Sequence, residues 1–473
     1  MVEKYGHFID GKWIEAGEII PVTNKYTGDT YGEIHEADES IVNKAVQNAY
    51  ESFEKNELSA EDRFTILNKA VTLIDERKLE LAELLIYEAG KTRKDAVTEI
   101  ERGISTLRAS AEEAKRITGQ GVALPNSADK GKLAFTVRVP VGVVVAITPF
   151  NFPFNLTVHK IGPALAAGNA VVLKPAEMTP LIACKLVEIF KEAGLPDGLF
   201  NLVNGRGTQT GEYLLKNSLV DMYTFTGSPK VGQLIKSKTG IRKVALELGN
   251  NSPNIVHKDV DDLKRAAELC VSRGFSNAGQ ACISVQRIYV HEEVYDQFLK
   301  YATEFTKSLV LCSEDNPDGD VGPVISEREA TRIESWIEEA VQQGAKIIVG
   351  GQRKRSQFEP TILADVSQSM KVVCEEIFGP VITIQKYQEI DDVLHKANDS
   401  TMGLQVGIFT SNIQIVMKSI KKLKFGGVIV NNVSTYREDV MPYGGVKNSG
   451  IGKEGPKYAI LEMTEEKLIV LDA

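Results

Sequence analysis

The chain has 473 residues, 43% of them hydrophobic and 25% charged, with a net charge of -9. That length exceeds one compact core and calls for two or three units of roughly 100–200 residues each. Acidic and basic residues interleave from end to end, so there is no basic face for nucleic acid or an anionic membrane, and neither partner class is expected.

The opening "MVEKYGHFIDGKW" lacks an apolar core of signal-peptide length, and the apolar run "VGVVVAI" at 141–147 is far too short to span a bilayer. A cytoplasmic protein is expected. Cys184, Cys270, Cys282, Cys312 and Cys374 are odd in number and form no CxxC pair. They read as free thiols, with no disulfide framework and no metal site.

From Glu39 to about Ile117, apolar residues recur every three or four positions, as in "SAEDRFTILNKAVTLIDERKLELAELLIYEAGK", which predicts helices. Ser59 followed by Asp62 predicts a capping box with Asp in place of the usual Glu. From Val141 to Val256 short β-branched runs ("VGVVVAIT", "AVVLKP", "LFNLV", "MYTFTG", "KVALEL") alternate with helical segments. That rhythm means parallel βαβ units, which bind ligands beyond the carboxyl ends of their strands. A second α/β set begins near Asp259 and includes "AKIIVGG", "PVITIQKY" and "FGGVIVNN". Two strands, 132–139 and the terminal "KLIVLDA", fall outside this rhythm. Because a bare edge is a liability, both are expected to pair with another subunit.

Three stretches are candidates for a dinucleotide. Gly205, Gly207 and Gly211 in "NGRGTQTG" have GxGxxxG spacing where the fingerprint is GxGxxG, and an ordinary glycine turn reads the same. "FTGSPKVG" places Phe225, Gly227 and Ser228 between a strand end and a helix, where free amides and a hydroxyl receive a phosphate; a simple Gly-Ser cap is the alternative. In "VVLKPAEMTP", Lys174 and Glu177 stand where they could grip the two hydroxyls of a ribose, or be solvated charges. Four Gly/Asn-rich loops follow in order: "TPFNFPFN", "LELGNNSPN", "EEIFGPV" and "MPYGGVKNSG". In "FSNAGQACISVQR", Cys282 has small or polar neighbours, Asn277, Ala278, Gly279, Gln280 and Ala281, unlike a thiol that only packs a core.

Taken together and in this order, these segments resemble the signature motifs of the NAD(P)-dependent aldehyde dehydrogenase superfamily over essentially the whole chain. "PFNFP" is similar to its oxyanion segment, "LELGNNSPNIV" to its general-base segment, "NAGQACIS" to its nucleophile segment and "EEIFGPV" to its nicotinamide-ribose segment. The resemblance implies an α/β fold with a Rossmann-type parallel-sheet NAD domain (1–117 and 140–247), an α/β catalytic domain (248–446) and a small β oligomerisation extension (118–139 and 447–473). It also implies a homodimer or homotetramer built through that extension.

The chemistry accounts for the residue types. An aldehyde cannot release hydride until a nucleophile makes its carbon tetrahedral, and a thiolate does this well and later leaves from a thioester. Resemblance gives that role to Cys282, with ionisation assisted by the site. It assigns the developing oxyanion to the Asn151 side-chain amide and the Cys282 N–H, and activation of water to Glu247. Glu247 favours hydrolysis; a CoA-acylating enzyme and a non-catalytic binding protein keeping the fold are the alternatives. Lys174 and Glu177 are assigned to the adenosine ribose, Ser228 to the pyrophosphate, and Glu376 with Phe378 to the nicotinamide ribose. A carboxylate at 177 accepts from a 2′-hydroxyl and repels a 2′-phosphate, so NAD is expected to be preferred, with NADP possible.

For substrate, the family pattern puts His159 at a tunnel position that is commonly a large aromatic, Arg102 on the tunnel side of the preceding helix, and Arg437 in the loop before "MPYGG". Three potentially cationic groups suit an aldehyde carrying carboxylate, sulfonate, phosphonate or phosphate. A helix-surface arginine, a satisfied histidine and a solvated loop are the respective alternatives. Phe150 replaces a common Trp, and Ala281 stands where some relatives for anionic substrates carry Arg, which weakens the case for phosphate.

Overall fold

The computed structural model describes residues 3–129 and 131–472. Met1, Val2, Lys130 and Ala473, which fall within the expected segments, lie outside the described residues. The helical region resolves into Glu39–Glu54, Ala60–Glu76, Lys78–Ala89 and Arg93–Ala114, and Ser59 and Asp62 form the reciprocal capping box.

The βαβ rhythm builds an eight-stranded sheet. Its five parallel strands lie in the spatial order Phe200–Leu202, Ala170–Lys174, Val143–Ile147, Met222–Thr226, Lys243–Glu247. The central strands are buried on both faces along nearly their whole length, Ile147 alone being partly exposed, which is why their sequences are largely continuous apolar runs and not alternations. From Val143–Ile147 the chain winds first to one side and then returns to the other with Met222–Thr226. The resulting topological switch point opens a crevice at the carboxyl ends of those two strands.

The second sheet has seven strands in the order Lys346–Val349, Thr361–Ala364, Val381–Tyr387, Arg287–His291, Pro253–Val256, Gln405–Phe409, Gly427–Val430. All neighbours are parallel except the first pair. Each large sheet has its own apolar core, one drawing on residues from Tyr5 to Leu248 with Ile460 and Met463, the other on residues from Val256 to Val433. Glu247 ends the last parallel strand of the first sheet and Pro253 begins a strand of the second, so the short link 248–252 joins them.

The two strands outside the rhythm pair with each other. Thr464–Asp472 runs antiparallel to Lys132–Pro140 over nine residue pairs, and Gly121–Val122 completes a three-stranded sheet. The expectation that each would find its partner in another subunit is therefore corrected: the partner of each is about 330 residues away in the same chain, a separation over which local sequence carries no pairing signal. Within 447–473, Gly450–Ile451 adds antiparallel to Lys243–Glu247, and the helix Pro456–Glu462 packs on Asn155–Ala166.

Candidate active site

The loop carrying Cys282 follows the helix Leu263–Phe275. Asn277, Ala278 and Gly279 turn left-handed in succession, with φ of 51°, 54° and 69°, a costly path for the two residues that carry a Cβ. At Gly279 a Cβ would also run into the Gly379 carbonyl. The polar neighbours of Cys282 hold this turn. Asn277 Nδ2 donates to the Asn151 carbonyl at 3.0 Å and to the Gln280 carbonyl at 3.1 Å, while Gln280 Oε1 accepts from the Ile325 N–H at 2.8 Å.

A buried ammonium ties that turn to the "PFNFP" loop. Lys91 Nζ donates to the Asn151 carbonyl and to Asn277 Oδ1, both at 2.8 Å, and pairs with Glu99 at 3.0 Å. Glu99 in turn accepts from the Phe154 and Asn155 N–H groups at 2.9 and 3.1 Å. Removing one partner of a buried pair typically costs about 3–5 kcal/mol, so these loops are held tightly. Asn151 Nδ2 donates to the Gln280 carbonyl at 2.9 Å, which brings the amide beside the segment carrying Cys282.

Cys282 Sγ lies 3.0 Å from the Tyr443 hydroxyl. Burial pushes the thiol up to about 11, against the pull of the Tyr443 hydrogen bond and the Arg437 charge. Sequence reasoning expected the site to assist ionisation; in this structure desolvation outweighs the two groups that do so. Glu247 is buried, and its Oε2 has no hydrogen-bond partner. Burial and then the nearby Glu454 raise its carboxyl well above the usual range, with Lys160, Arg437 and Lys453 opposing. An unpartnered carboxylate of raised pKa holds a proton more readily than an ordinary glutamate, which suits a general base.

The cofactor candidates gather at the crevice. Lys174 ends its strand, buried, with Nζ donating to the Pro175 carbonyl at 2.9 Å and lying 3.8 Å from Glu177. Burial lowers its ammonium. Ser228 caps the helix Pro229–Lys238, Gly227 N–H donates to the Glu247 carbonyl at 3.0 Å, and the Phe225 ring packs on Gly227. Gly207 and Gly211 have open space on their Cβ side. Glu376 accepts from the Asn250 N–H at 2.9 Å and is pushed up to about 7 by burial. A Cβ at residue 249 would collide with its carboxylate. Phe378 takes an unusual φ of 46° and meets Phe150 edge to face at 5.9 Å. The Thr226 hydroxyl, at the switch point, is buried and unpartnered. Open glycines, a capped helix start and an orphaned hydroxyl in one crevice fit a dinucleotide.

Arg102, His159 and Arg437 come together, around acids that sequence reasoning did not identify. Arg102 grips Asp439 through two bonds of 2.9 and 2.7 Å. His159 Nε2 meets the same carboxylate at 2.8 Å, and Asn155 Nδ2 donates to it at 3.3 Å. Arg437 pairs with Glu454 at 3.0 Å, and Lys160 does so at 3.1 Å. Burial raises the Asp439 carboxyl, but the His159 and Arg102 bonds prevail and hold it well below its usual range. For Glu454 burial is likewise outweighed, by Lys160 and Arg437, leaving it at about 2. His159 differs from the expectation of a cation. Burial and the neighbouring Arg437 lower its pKa below the ordinary imidazole value, which favours the neutral imidazole at pH 7. The positive charge comes from Arg102, Arg437 and Lys160. Lys160 follows His159 in the sequence, but its salt-bridge partner lies 294 positions away, which explains why it was missed. Tyr443 lay in the quoted "MPYGG" loop and went unassigned because nothing local marks a hydroxyl aimed at a thiol.

Fold and cleft together define an oxidoreductase that works with a nicotinamide dinucleotide. The chain belongs to the aldehyde dehydrogenase family, which it matches over residues 13–469. It is 52% identical to a 3-sulfolactaldehyde dehydrogenase of Priestia aryabhattai, across 100% of this chain and 98% of that one. It is 41% identical to a lactaldehyde dehydrogenase of Methanococcus maripaludis, across 98% and 99%. Among solved structures, the glyceraldehyde-3-phosphate dehydrogenase GapN of Methanocaldococcus jannaschii, complexed with NADP, superimposes with a TM-score of 0.93 at 39% identity, over 97% of this chain and 100% of that one.

Proposed function

We propose that this aldehyde dehydrogenase oxidises a small anionic or hydroxylated aldehyde to its free carboxylic acid with NAD, using Cys282 as nucleophile. The observation that carries the reading is that the Asn151 amide reaches the segment of Cys282, while the unpartnered Glu247 carboxylate is near enough to act on the thiol's ionisation. Cys282 Sγ attacks the aldehyde carbon, and the Asn151 amide receives the oxygen as it gains charge. When bound, the nicotinamide supplies the hydride acceptor. Glu247 then takes a proton from the water that attacks the thioester, and the acid leaves with Cys282 restored as leaving group. Two observations favour NAD over NADP. Glu177 presents a half-exposed carboxylate beside Lys174, and Arg206, the cation of the glycine loop, is engaged by Glu36.

An aldehyde panel assayed with NAD or NADP, with and without CoA, tests the reaction. NADH formed without CoA is the expected result; NADH only with CoA would establish the acylating reaction instead, and none with any aldehyde would leave a binding protein.

Names of the relatives and the three cations Arg102, Arg437 and Lys160 set against the two acids Asp439 and Glu454 both support an anionic substrate such as sulfolactaldehyde. Arg102 side chain is 31% exposed, at the solvent side of the cluster. A charge-assisted hydrogen bond contributes roughly 1.5–3 kcal/mol. Arg102→Leu is therefore expected to lower kcat/KM for sulfolactaldehyde on the order of tenfold to a hundredfold while leaving propanal nearly unchanged. Because His159 is neutral, the anion preference should stay flat from pH 7 to 9. Equal loss for both aldehydes would reduce Arg102 to a structural partner of Asp439.

For assembly we infer a dimer, or a dimer of dimers, through the extension, with the units divided as 1–117 with 140–247, 248–446, and 118–139 with 447–473, in the cytoplasm. Leu133, Leu468, Val470 and Leu471 are exposed on that sheet, and Ile413, Met417 and Ile420 are exposed beside the edge strand Gly427–Val430, the kind of apolar surface that partners cover. Truncation before Lys467 is expected to give monomers or insoluble protein by size-exclusion chromatography; elution at the native size would remove the inference.

A further inference from the structure

Tyr443 is built into the nucleophile's surroundings more firmly than a space-filling aromatic needs to be. Its ring is 2% exposed and packs with Ile283, Leu404 and Cys282. Its backbone is locked to residue 454 from both sides: the Tyr443 N–H donates to the Glu454 carbonyl at 3.2 Å and the Glu454 N–H to the Tyr443 carbonyl at 2.6 Å. The Arg437 guanidinium lies 3.7 Å from the ring centroid and is itself held by Glu454. Held in this frame, the phenol hydroxyl lies 3.0 Å from Cys282 Sγ.

We propose that Tyr443 is a further catalytic residue, whose hydroxyl donates a hydrogen bond to the Cys282 thiolate and sustains it in a buried site. The proposal rests on Cys282 being the nucleophile. A neutral thiol is a weak acceptor and a thiolate a strong one, so the bond strengthens as the sulfur ionises. No proton leaves Tyr443, since burial raises its own ionisation well above the usual phenol value. The thiol proton passes to solvent or to the Glu247 carboxylate. The sulfur lone pair then forms the Sγ–C bond while the carbonyl π pair moves onto the aldehyde oxygen, and the sulfur, now neutral, releases the phenol. The cation over the ring face makes the hydroxyl a better donor, and the same Arg437 charge favours the thiolate directly. Against these stand burial and the two carboxyls that face the sulfur, Glu376 and Glu247.

The gain is partial by nature. Each unit by which a thiol's pKa falls multiplies the thiolate fraction about tenfold at pH values below the midpoint, but weakens the thiolate's nucleophilicity about threefold for a Brønsted slope of roughly 0.4–0.5. The net benefit is roughly threefold per unit.

The test is alkylation of the full-length enzyme by iodoacetamide as a function of pH, with the labelled cysteine identified by peptide mapping. Tyr443→Phe keeps the ring under Arg437 and removes only the hydroxyl. Its alkylation midpoint should rise by about one to two units, and the rate at pH 8 should fall about threefold to tenfold. The amplitude of NADH formed in the first turnover should remain one per site, with its rate reduced in parallel. Tyr443→Leu needs no stacking beneath Arg437, and it carries the same test should the Phe variant not fold. Superimposable pH profiles for wild type and a folded variant would overturn the proposal, even if kcat fell, because a purely structural role moves the rate without moving the midpoint. Cys374 is exposed and is labelled independently of this site; absence of label on Cys282 in the wild type would overturn the nucleophile assignment and this proposal with it.

Discussion

Cys282→Ala is expected to abolish NADH formation from every aldehyde, a loss of at least about four orders of magnitude, with the dissociation constant for NAD unchanged. The size follows from what a nucleophile supplies: without a bond to carbon there is no tetrahedral centre from which hydride can depart, and the remaining contacts only bind. No other thiol is placed to substitute. Cys184, Cys270 and Cys312 are buried, and burial pushes each of them up. Cys374 is exposed, with its Sγ donating to the Ser369 carbonyl at 3.7 Å. Binding is retained because the crevice at Gly227, Ser228 and Lys174 does not use the thiol. Stopped-flow absorbance for turnover and titration calorimetry for NAD make the comparison. Turnover within tenfold of wild type would mean that the reaction does not pass through this sulfur.

The second large effect separates the two halves of the reaction. Glu247→Gln is expected to produce a burst of about one NADH per active site, followed by a steady rate lower by about two to four orders of magnitude, since a positioned general base contributes that much. Acylation precedes the water step, so the acyl group accumulates on Cys282 and mass spectrometry of the stalled enzyme should find it there. The pH dependence has a defined sign. Burial and Glu454 raise the Glu247 carboxyl, so its basic form fills later than that of an ordinary glutamate. Wild-type deacylation should rise with pH through that raised value, and the residual rate of the Gln variant should lack this rise. A variant that turns over at the wild-type rate would remove Glu247 from the water step. A wild type that needs CoA for more than one turnover would make it an acylating enzyme.

Much of the architecture was readable without coordinates because the physics that writes it is local. Apolar residues every three or four positions become the helices from Glu39 to Ala114, the Ser59–Asp62 box starts a helix as its side chains require, and continuous β-branched runs become strands buried on both faces. The loops at strand ends were likewise visible, since the turns that carry polar groups into a cleft need Gly and Asn. Of the residues singled out in those loops, Asn151 reaches the Cys282 segment, Gly227 bonds the Glu247 carbonyl, and Glu376 and Glu247 both act on the Cys282 thiol.

What the chain by itself determined, then, was which segments form helices and strands, and which types of side chain stand at their ends. Tertiary structure alone decided what each of those side chains meets. Arg102 and Asp439 are 337 positions apart, Lys160 and Glu454 are 294, and Cys282 and Tyr443 are 161; each contact exists only once the "STYRED" loop and the segment after it fold back onto the first sheet's helices. Charge state followed from that closure. Burial among cations left His159 neutral and Glu454 ionised, and desolvation raised the Cys282 thiol. The terminal strand found its partner at Lys132–Pro140 in the same way. Periodicity and turn chemistry act over a few residues, whereas hydrogen bonding and desolvation depend on whatever the fold brings within about 3–4 Å, and no short window of sequence records that.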